Sequence, residues 1–370
     1  MKSRRLYSIM IAALLAAILA SYWTIRANRK ARDHAWAIGV LNPATGASAT
    51  HGAEGLAGAQ LGLREWNQRG LTPSISYIVE DTHSKPVDAV SASRKLIDID
   101  KTSIIIGWLS SSDALAVAPV CDRAGVLFLA IGTSSPELSG AGHFVFRHAP
   151  LAPAQADAAA RYMSRSVRPK KLGVLYMNDA TGEGYYRAFL ESAARLGLRP
   201  TVVEEYEKTA TDFRTQILKL KGGECDAIYV PCVPRSLGQI LRQSRELSYS
   251  PTVVSNFGAE GQELLDIASE AAEGLVFTSF AMSEDFVAKY RNEYHRSPQM
   301  LAALAYDSVK VLFAAMAQAG QNPSKVADFL MRMPVAHGAT GTISFDDKHD
   351  AIKDVILKTV RNGAFCPMKE

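Results

Sequence analysis

Residues 107–119, GWLSSSDALAVAP, place three hydroxyl side chains where an apolar run ends and a helical pattern begins. A single serine at a helix N-cap accepts a hydrogen bond from an unpaired backbone amide, and that role needs no ligand. Three serines are more than a cap requires. Helix N-termini also carry partial positive charge and free N–H groups, which favour carboxylates and phosphates. The stretch therefore predicts either a helix cap alone or an anion-binding site.

Short apolar runs alternate with helical patterns from Trp36 onward. The runs are almost continuously hydrophobic, which is typical of parallel strands covered by helices on both faces. A second series of strands and helices begins after FVFRHAP, residues 144–150, and each series has the usual size of a domain. The doubling predicts an α/β fold of two doubly wound units. Open parallel sheets bind ligands outside the carboxyl ends of their strands, and the three serines follow such a strand.

Residues 6–25 form an uncharged stretch with basic residues on both sides. As a helix it would be about 30 Å long, which matches the hydrocarbon core of a bilayer. A secretory signal usually has a shorter apolar core and an A-x-A-like cleavage site, which Ile18-Leu19-Ala20 matches only loosely. We therefore expect residues 1–35 to anchor the protein in a membrane as an uncleaved helix, with a cleaved signal peptide as the alternative.

The positive charge of the chain is concentrated at its N-terminus. Residues 1–32 contribute +7 to the formal net charge of +4, so the remainder of the chain carries −3. A mildly acidic globule without a basic stripe lacks the electrostatic features of nucleic-acid binding. We therefore expect no nucleic-acid partner.

The four cysteines predict neither a metal site nor a disulfide between neighbours. They form no C-x-x-C pair and have no histidine at metal-ligand spacing. Cys225 and Cys232 flank a predicted strand, and seven extended residues separate them by about 23 Å, too far for a disulfide. We expect buried, free thiols for at least some of the four, and no metal ion or cofactor.

Two other residue sets could be mistaken for chemical sites. The glycines of the first predicted helix recur at short spacing, and inside a helix they favour close packing over phosphate binding. A cluster of aspartates near the C-terminus has the composition of a solvated turn. These sets are Gly52, Gly55 and Gly58, and Asp346, Asp347 and Asp350.

Several stretches, in order from about Trp36 to Gly363, resemble the type I periplasmic solute-binding proteins, most closely their leucine, isoleucine and valine-binding branch. The stretches are IGVLNPATGASATHGAEGLAGAQLGLREWNQRG, IIIGWLSSSDALAVAPV, LAIGTSSPEL, GEGYYRAFLESAARLG, DFRTQILKLK, GQILRQSREL and EGLVFTSF. Each motif is loose, but their joint order is specific.

The resemblance implies two Rossmann-like lobes joined by three crossovers, near Arg147, Thr278 and Ser344. Lobe 1 would comprise residues 36–147 and 279–343, and lobe 2 residues 148–278 and 344–370. The lobes would close outside the cytoplasm on a small carboxylate, amide or amino acid and deliver it to an ABC permease. A membrane-anchored sensor that binds the same kind of ligand is the alternative.

The resemblance also implies which residues meet the ligand. Ser111 fits the position whose hydroxyl or amide binds the ligand's carboxylate, Gly132 would offer its backbone, and Ser134 stands where the family often has threonine. His51 falls where many relatives have an aromatic residue. The full set of expected ligand-binding residues is Ser111, Ser112, Gly132, Thr133, Ser134, His51, Thr181, Val233 and Phe257.

The departures from the family pattern concern the second lobe. Amino-acid binders of this branch pair the ligand's ammonium with an acidic side chain, and that position is Phe257 here. An apolar ring cannot compensate a buried ammonium, although Glu260 is near enough in sequence to replace the acid. Family aromatics fall at Thr181 and Val233. We therefore expect a carboxylate or amide ligand with an apolar or aromatic body, and not necessarily a free amino acid.

An enzyme is the rival class. The stretch GWLSSS lacks the G-x-S-x-G nucleophile elbow of α/β-hydrolases, and no dinucleotide fingerprint follows the first strand. The sequence therefore predicts a binding protein without catalytic residues.

Overall fold

The computed structural model describes residues 36–70 and 73–368, so the predicted membrane segment at residues 6–25 lies outside the described residues. The described chain forms two α/β lobes, each built on its own sheet, together with a small two-stranded hairpin. This confirms the predicted two-lobe architecture.

The sheet of lobe 1 contains five parallel strands in the order β2-β1-β3-β4-β5. Every residue of β3 and β4 is buried, as predicted for strands covered by helices on both faces. The strands are β1 Trp36–Asn42, β2 Ile75–Asp81, β3 Ile104–Gly107, β4 Leu127–Ile131 and β5 Val145–His148, and the helices between them are α1 Ala49–Gln68, α2 Pro86–Arg94 and α3 Ser111–Arg123.

The sheet of lobe 2 contains seven strands in the order β14-β13-β10-β9-β8-β6-β7, of which β13 and β14 are antiparallel to their neighbours. Its strands are β6 Leu172–Met177, β7 Pro200–Tyr206, β8 Ala227–Val230, β9 Thr252–Ser255, β10 Val276–Ser279, β13 Ile356–Arg361 and β14 Ala364–Pro367. Its helices are α4 Ala152–Tyr162, α5 Ala180–Arg195, α6 Arg214–Gly222, α7 Pro234–Glu246 and α8 Gln262–Ala268.

The chain passes between the sheets after β5, after β10 and after the hairpin of β11 and β12. The intervening elements are α9 Glu284–Tyr294, α10 Met300–Ala319, α11 Pro323–Arg332, β11 Ala336–Gly338 and β12 Gly341–Ile343. Helix α10 is long and apolar enough to cross a bilayer, but 83% of its apolar window is buried inside the protein. It is therefore a core helix of this fold.

The glycines of α1 allow close helix packing, as predicted. A Cβ atom at Gly58 would lie 2.0 Å from the carbonyl oxygen of Ala302 in α10, and one at Gly55 would lie 2.5 Å from the Trp108 ring. A methyl group fits at neither position. The cysteines also behave as predicted, because all four are free and Cys121, Cys225 and Cys232 are buried.

The prediction of a solvated turn was wrong for Asp350. This carboxylate is 2% exposed and accepts hydrogen bonds from Arg147 Nε at 2.7 Å and from Ser139 Oγ at 2.6 Å. Arg147, at the end of β5, is 1% exposed. Asp346 does form a turn, accepting the backbone N–H groups of Lys348 and Asp350. The buried Arg147–Asp350 pair thus joins the first and third connections between the lobes.

Candidate ligand-binding cleft

A pocket lies between the two lobes, at the carboxyl ends of their strands. Its empty volume is about 690 Å³, including space open to solvent. This is where open parallel sheets bind ligands, because the loops that leave the strands converge there. Lobe 1 contributes the ends of β3 and β4 and the start of α1, and lobe 2 contributes the ends of β6, β7, β8 and β9.

The three serines that follow β3 have different roles. Ser110 is the N-cap of α3, and its Oγ accepts the backbone N–H of Asp113 at 3.3 Å. Ser111 is 1% exposed and lines the pocket, and its Oγ accepts the N–H of Ser135 in the loop after β4 at 3.2 Å. Ser112 does not line the pocket, so we do not retain it as a ligand contact. One hydroxyl therefore caps the helix while the next joins two loops of the cleft wall.

The loop after β4 places Gly132 and Ser134 in the pocket lining. Gly132 has φ of +79°, and a Cβ there would lie 2.5 Å from Leu301 Cδ2. Its amide donates to the carbonyl of His148 at 3.1 Å and is not free for a ligand. Thr133 is buried and lies outside the pocket lining. Its Oγ1 donates a hydrogen bond to Leu109 O at 2.9 Å. We therefore do not retain Thr133 as a ligand contact.

The wall from lobe 2 contains Thr181, Val233 and Phe257. The hydroxyl oxygen of Thr181 accepts the backbone N–H of Ser111 at 3.1 Å, which is a direct contact between the lobes. A second contact joins Thr50 Oγ1 to Glu263 Oε2 at 3.5 Å. These two hydrogen bonds join the lobes directly.

A buried glutamine, Gln155 of α4, organises this wall. Its Oε1 accepts the N–H of Phe257 at 3.1 Å and the hydroxyl of Thr278 at 2.9 Å. Its Nε2 donates to the Tyr185 hydroxyl at 2.6 Å. Burial raises the pKa of Tyr185 to about 12, so the side chain is a neutral phenol. Tyr185 and Phe257 both line the pocket, and Gln155 holds them in one arrangement.

Glu260 does not take the place of the missing acid. Its carboxylate accepts hydrogen bonds from Lys358 Nζ at 2.7 Å and 3.0 Å and from Ser279 Oγ at 2.6 Å. Glu260 is 5% and Lys358 6% exposed, and neither lines the pocket. Phe257, by contrast, presents an apolar ring to the cleft. The carboxylate of Glu260 is therefore already paired within lobe 2.

The polar side chains that do line the pocket carry hydroxyls, one amide, one imidazole, one thiol, one ammonium and one indole N–H, the last donating to Asn42 Oδ1 at 2.7 Å. Burial lowers the pKa of His51 to about 4, so its imidazole is neutral, and its Nε2 has no hydrogen-bond partner. Asn256 accepts the N–H of Cys232 through Oδ1 at 3.0 Å, which leaves its amide group as a donor. Lys208 contributes the ammonium. Among the described residues that form the lining there is no carboxylate.

Sequence reasoning missed several residues of the lining, above all Trp108, Tyr185, Lys208 and Asn256. Trp108 and Asn256 directly follow β3 and β9, and a position at the end of an apolar run was a usable signal. Tyr185 lies inside a helix and Lys208 in a loop, and neither has a local pattern that distinguishes it from surface residues. Of the predicted set, Ser111, Gly132, Ser134, His51, Thr181, Val233 and Phe257 come together around this pocket.

A cleft between two α/β lobes, lined by hydrogen-bonding groups from both, defines a two-lobed binding protein for a small molecule. Residues 35–364 match the model of the family described as periplasmic binding protein, and the chain belongs to that family.

Proteins of known binding function match this chain over most of its length. An amino acid binding protein of Pseudomonas aeruginosa is 26% identical over 325 residues, which cover 85% of this chain and 86% of that protein. A leucine-, isoleucine-, valine-, threonine- and alanine-binding protein of the same species is 25% identical over 328 residues, with coverage of 85% and 86%.

Two solved structures have the same fold. A leucine binding protein of Thermotoga maritima has a TM-score of 0.84 at 27% identity, covering 90% of this chain and 98% of that one. A branched-chain amino acid transporter substrate binding protein of Streptococcus pneumoniae, in complex with isoleucine, has a TM-score of 0.84 at 27% identity, covering 91% and 100%.

These findings confirm the resemblance to type I periplasmic binding proteins of the leucine, isoleucine and valine-binding branch. The protein is a binding protein and not an enzyme, and it acts in the periplasm or otherwise outside the cytoplasm.

Proposed function

We propose that this protein is the solute-binding component of an ABC uptake system and closes its lobes on a small carboxylate or amide with an apolar or aromatic body. One observation carries the choice of ligand. The cleft offers donors from both lobes, but Phe257, the residue at the position that the family resemblance gives to the ammonium-binding acid, is apolar, and Glu260 is paired with Lys358. A buried ammonium without a counter-charge is strongly disfavoured, so a free amino acid is a poor match.

The apolar part of the lining supports a hydrophobic ligand body. Trp108, Met177, Val233, Met300 and Leu301 surround the same space as Phe257. Burial of apolar surface is worth about 25 cal/mol per Å². The polar groups would then fix the orientation of the ligand, while the apolar area supplies most of the affinity.

The transport role rests on the relatives, one of which is described as a transporter substrate binding protein. We propose the lobe limits predicted above, residues 36–147 and 279–343 against 148–278 and 344–370, and a membrane anchor or signal in residues 1–35. The alternative of a membrane-anchored sensor finds no support among these relatives. Loss of ligand uptake on deletion of the gene, restored by the intact gene, would support transport; unchanged uptake would contradict it.

A matched set of ligands tests the proposed class. We expect 4-methylpentanoate or its amide to raise the melting temperature of the purified protein more than leucine, which differs from the acid by its ammonium group. A ligand at one hundred times its Kd stabilises by about 2.7 kcal/mol, and the same set built on 3-phenylpropanoate tests an aromatic body. Tight leucine binding that Glu260→Gln abolishes would contradict the proposal.

Two substitutions test the walls of the cleft separately. Ser134→Ala should weaken binding by about 1 to 2 kcal/mol if its hydroxyl donates to the ligand, and Ser112→Ala is the matched control outside the lining. Phe257→Glu should shift preference toward ammonium-bearing ligands, and isothermal titration with leucine measures the shift. Equal effects of the two serine substitutions would show that Ser134 has no contact with the ligand.

A further inference from the structure

Lys208, in the loop after β7, places a positive charge in the lining of the cleft. Its Nζ lies 3.5 Å from the hydroxyl oxygen of Ser110 on the opposite lobe. No carboxylate oxygen of the described residues lies within 4.0 Å of this nitrogen. Lys208 is half-buried as a residue, and its ammonium has no ion-pair partner among the described residues.

Two aspartates lie near Lys208, one on each lobe: Asp113 is buried and Asp179 is half-buried. Asp113 is in the first turn of α3 and Asp179 is the N-cap of α5. Burial raises the pKa of each carboxyl, and the charge of Lys208 acts in the opposite direction on both. Each carboxylate also sits at a helix N-terminus, where the partial positive charge of the helix stabilises an anion.

The aspartates and Lys208 differ in their access to the cleft. Neither aspartate lines the pocket, whereas Lys208 does. The Oδ1 atom of Asp179 accepts hydrogen bonds from the backbone N–H groups of Thr181 and Gly182, each at 2.9 Å. The aspartates therefore act on Lys208 only through their charge, and the one hydrogen bond of its ammonium within the described chain is the one to Ser110.

We infer that Lys208 binds an anionic group of the ligand beside Ser110, and so selects carboxylates over amides of the same shape. The inference rests on the proposed function, which leaves acid and amide open. Lys208 belongs to the second sheet's lobe and Ser110 to the first, so an anion between them contacts both lobes and favours their closure. A charge-assisted hydrogen bond from an ammonium to a carboxylate is roughly twice as strong as a neutral one.

A different role for Lys208 predicts a different result. If the ammonium only joined the lobes through Asp113, its removal would weaken every ligand to the same degree. Selective loss of acids is the signature of direct recognition, and equal loss of acids and amides is the signature of a contact between lobes.

Isothermal titration of the full-length protein with acid and amide pairs separates these roles. The probes are 4-methylpentanoate, 3-phenylpropanoate and their amides, with Lys208→Met, Lys208→Arg and Asp113→Asn as variants. Lys325→Met is the matched control, because Lys325 is an exposed lysine on α11. We expect Lys208→Met to weaken the acids at least tenfold and the amides less than twofold, while Lys208→Arg and Lys325→Met retain acid binding.

Several outcomes would overturn the inference. These are equal losses for acids and amides in Lys208→Met, the same equal losses in Asp113→Asn, or amides that bind the unmodified protein as tightly as the acids. If amides bind and acids do not, the role of Lys208 is refuted while the proposed function stands. If leucine binds tightly, Glu260→Gln abolishes its binding and neither acids nor amides bind, the proposed ligand class is refuted as well.

Discussion

The buried polar groups that join the lobes and those around the cleft differ in how completely they are paired. Arg147 and Asp350 bond to each other and share Ser139 as a partner, and Arg147 also donates to the carbonyl of Ser135. Around the cleft, His51 Nε2 and both carboxylate oxygens of Asp113 are buried without a partner. Unpaired buried groups cost stability. The comparison shows that the buried groups joining the lobes are paired with one another, whereas His51, which lines the pocket, leaves a ring nitrogen unpaired.

Breaking the connection between the lobes should have the largest effect. Arg147→Met leaves the carboxylate of Asp350 buried without its counter-charge, and we expect the free energy of unfolding to fall by about 5 kcal/mol. Urea denaturation followed by circular dichroism measures the change. Adding Asp350→Leu to this variant should recover part of the loss, because no unpaired charge then remains. A single-variant loss below about 1 kcal/mol would mean that the pair is solvated.

The Glu260–Lys358 pair tests whether a second satisfied cluster is structural. Glu260→Gln should lower the free energy of unfolding by about 3 kcal/mol, because Lys358 then stays buried with only a neutral partner. The affinity for 4-methylpentanoate should stay within a few fold. Thermal unfolding and titration on the same sample measure both quantities. A large loss of affinity with little loss of stability would show that Glu260 contacts the ligand and that its pairing with Lys358 contributes little to stability.

The neutral histidine of the cleft predicts a pH effect. His51 has its pKa lowered to about 4 by burial, from 6.5, so below pH 6.5 the unfolded chain binds a proton that the folded protein does not. Stability should therefore fall as pH is lowered from 6.5 toward 4, by up to about 3 kcal/mol. Comparison with His51→Gln isolates this effect, because the carboxylates and the remaining histidines titrate equally in both proteins. Identical pH profiles would mean that the imidazole is hydrated.

A surface ion pair should have the smallest effect. Arg187 Nη2 lies 2.8 Å from Glu183 Oε2 on α5, and their side chains are 71% and 41% exposed. Exposed i,i+4 pairs contribute about 0.3 to 0.5 kcal/mol. Arg187→Ala should change the urea midpoint only slightly. A loss approaching that of Glu260→Gln would contradict the distinction between buried and exposed pairs.

The alternation of strands and helices could be predicted from the sequence because it depends on local periodicity. Continuous apolar runs such as IIIG at β3 indicated parallel strands buried on both faces, and the structure has them there. The same local signals located the serines at a strand end, and thereby one wall of the cleft. The stretch GTISFDD, from residue 341, also indicated a strand that completes one of the two large sheets, but β12 pairs only with β11 in a short hairpin of its own.

Pairing between distant residues was decided only by the tertiary structure. Asp350 has the local sequence of a surface turn, yet its partner Arg147 lies 203 residues away. Glu260 was a plausible ligand contact until Lys358, on a strand that returns from the other lobe, was found to occupy it. Lys208 and Tyr185 carry no periodic signal for the cleft. Sequence patterns report which face of an element is buried, but the partner of a buried charge depends on how the crossovers bring remote strands together.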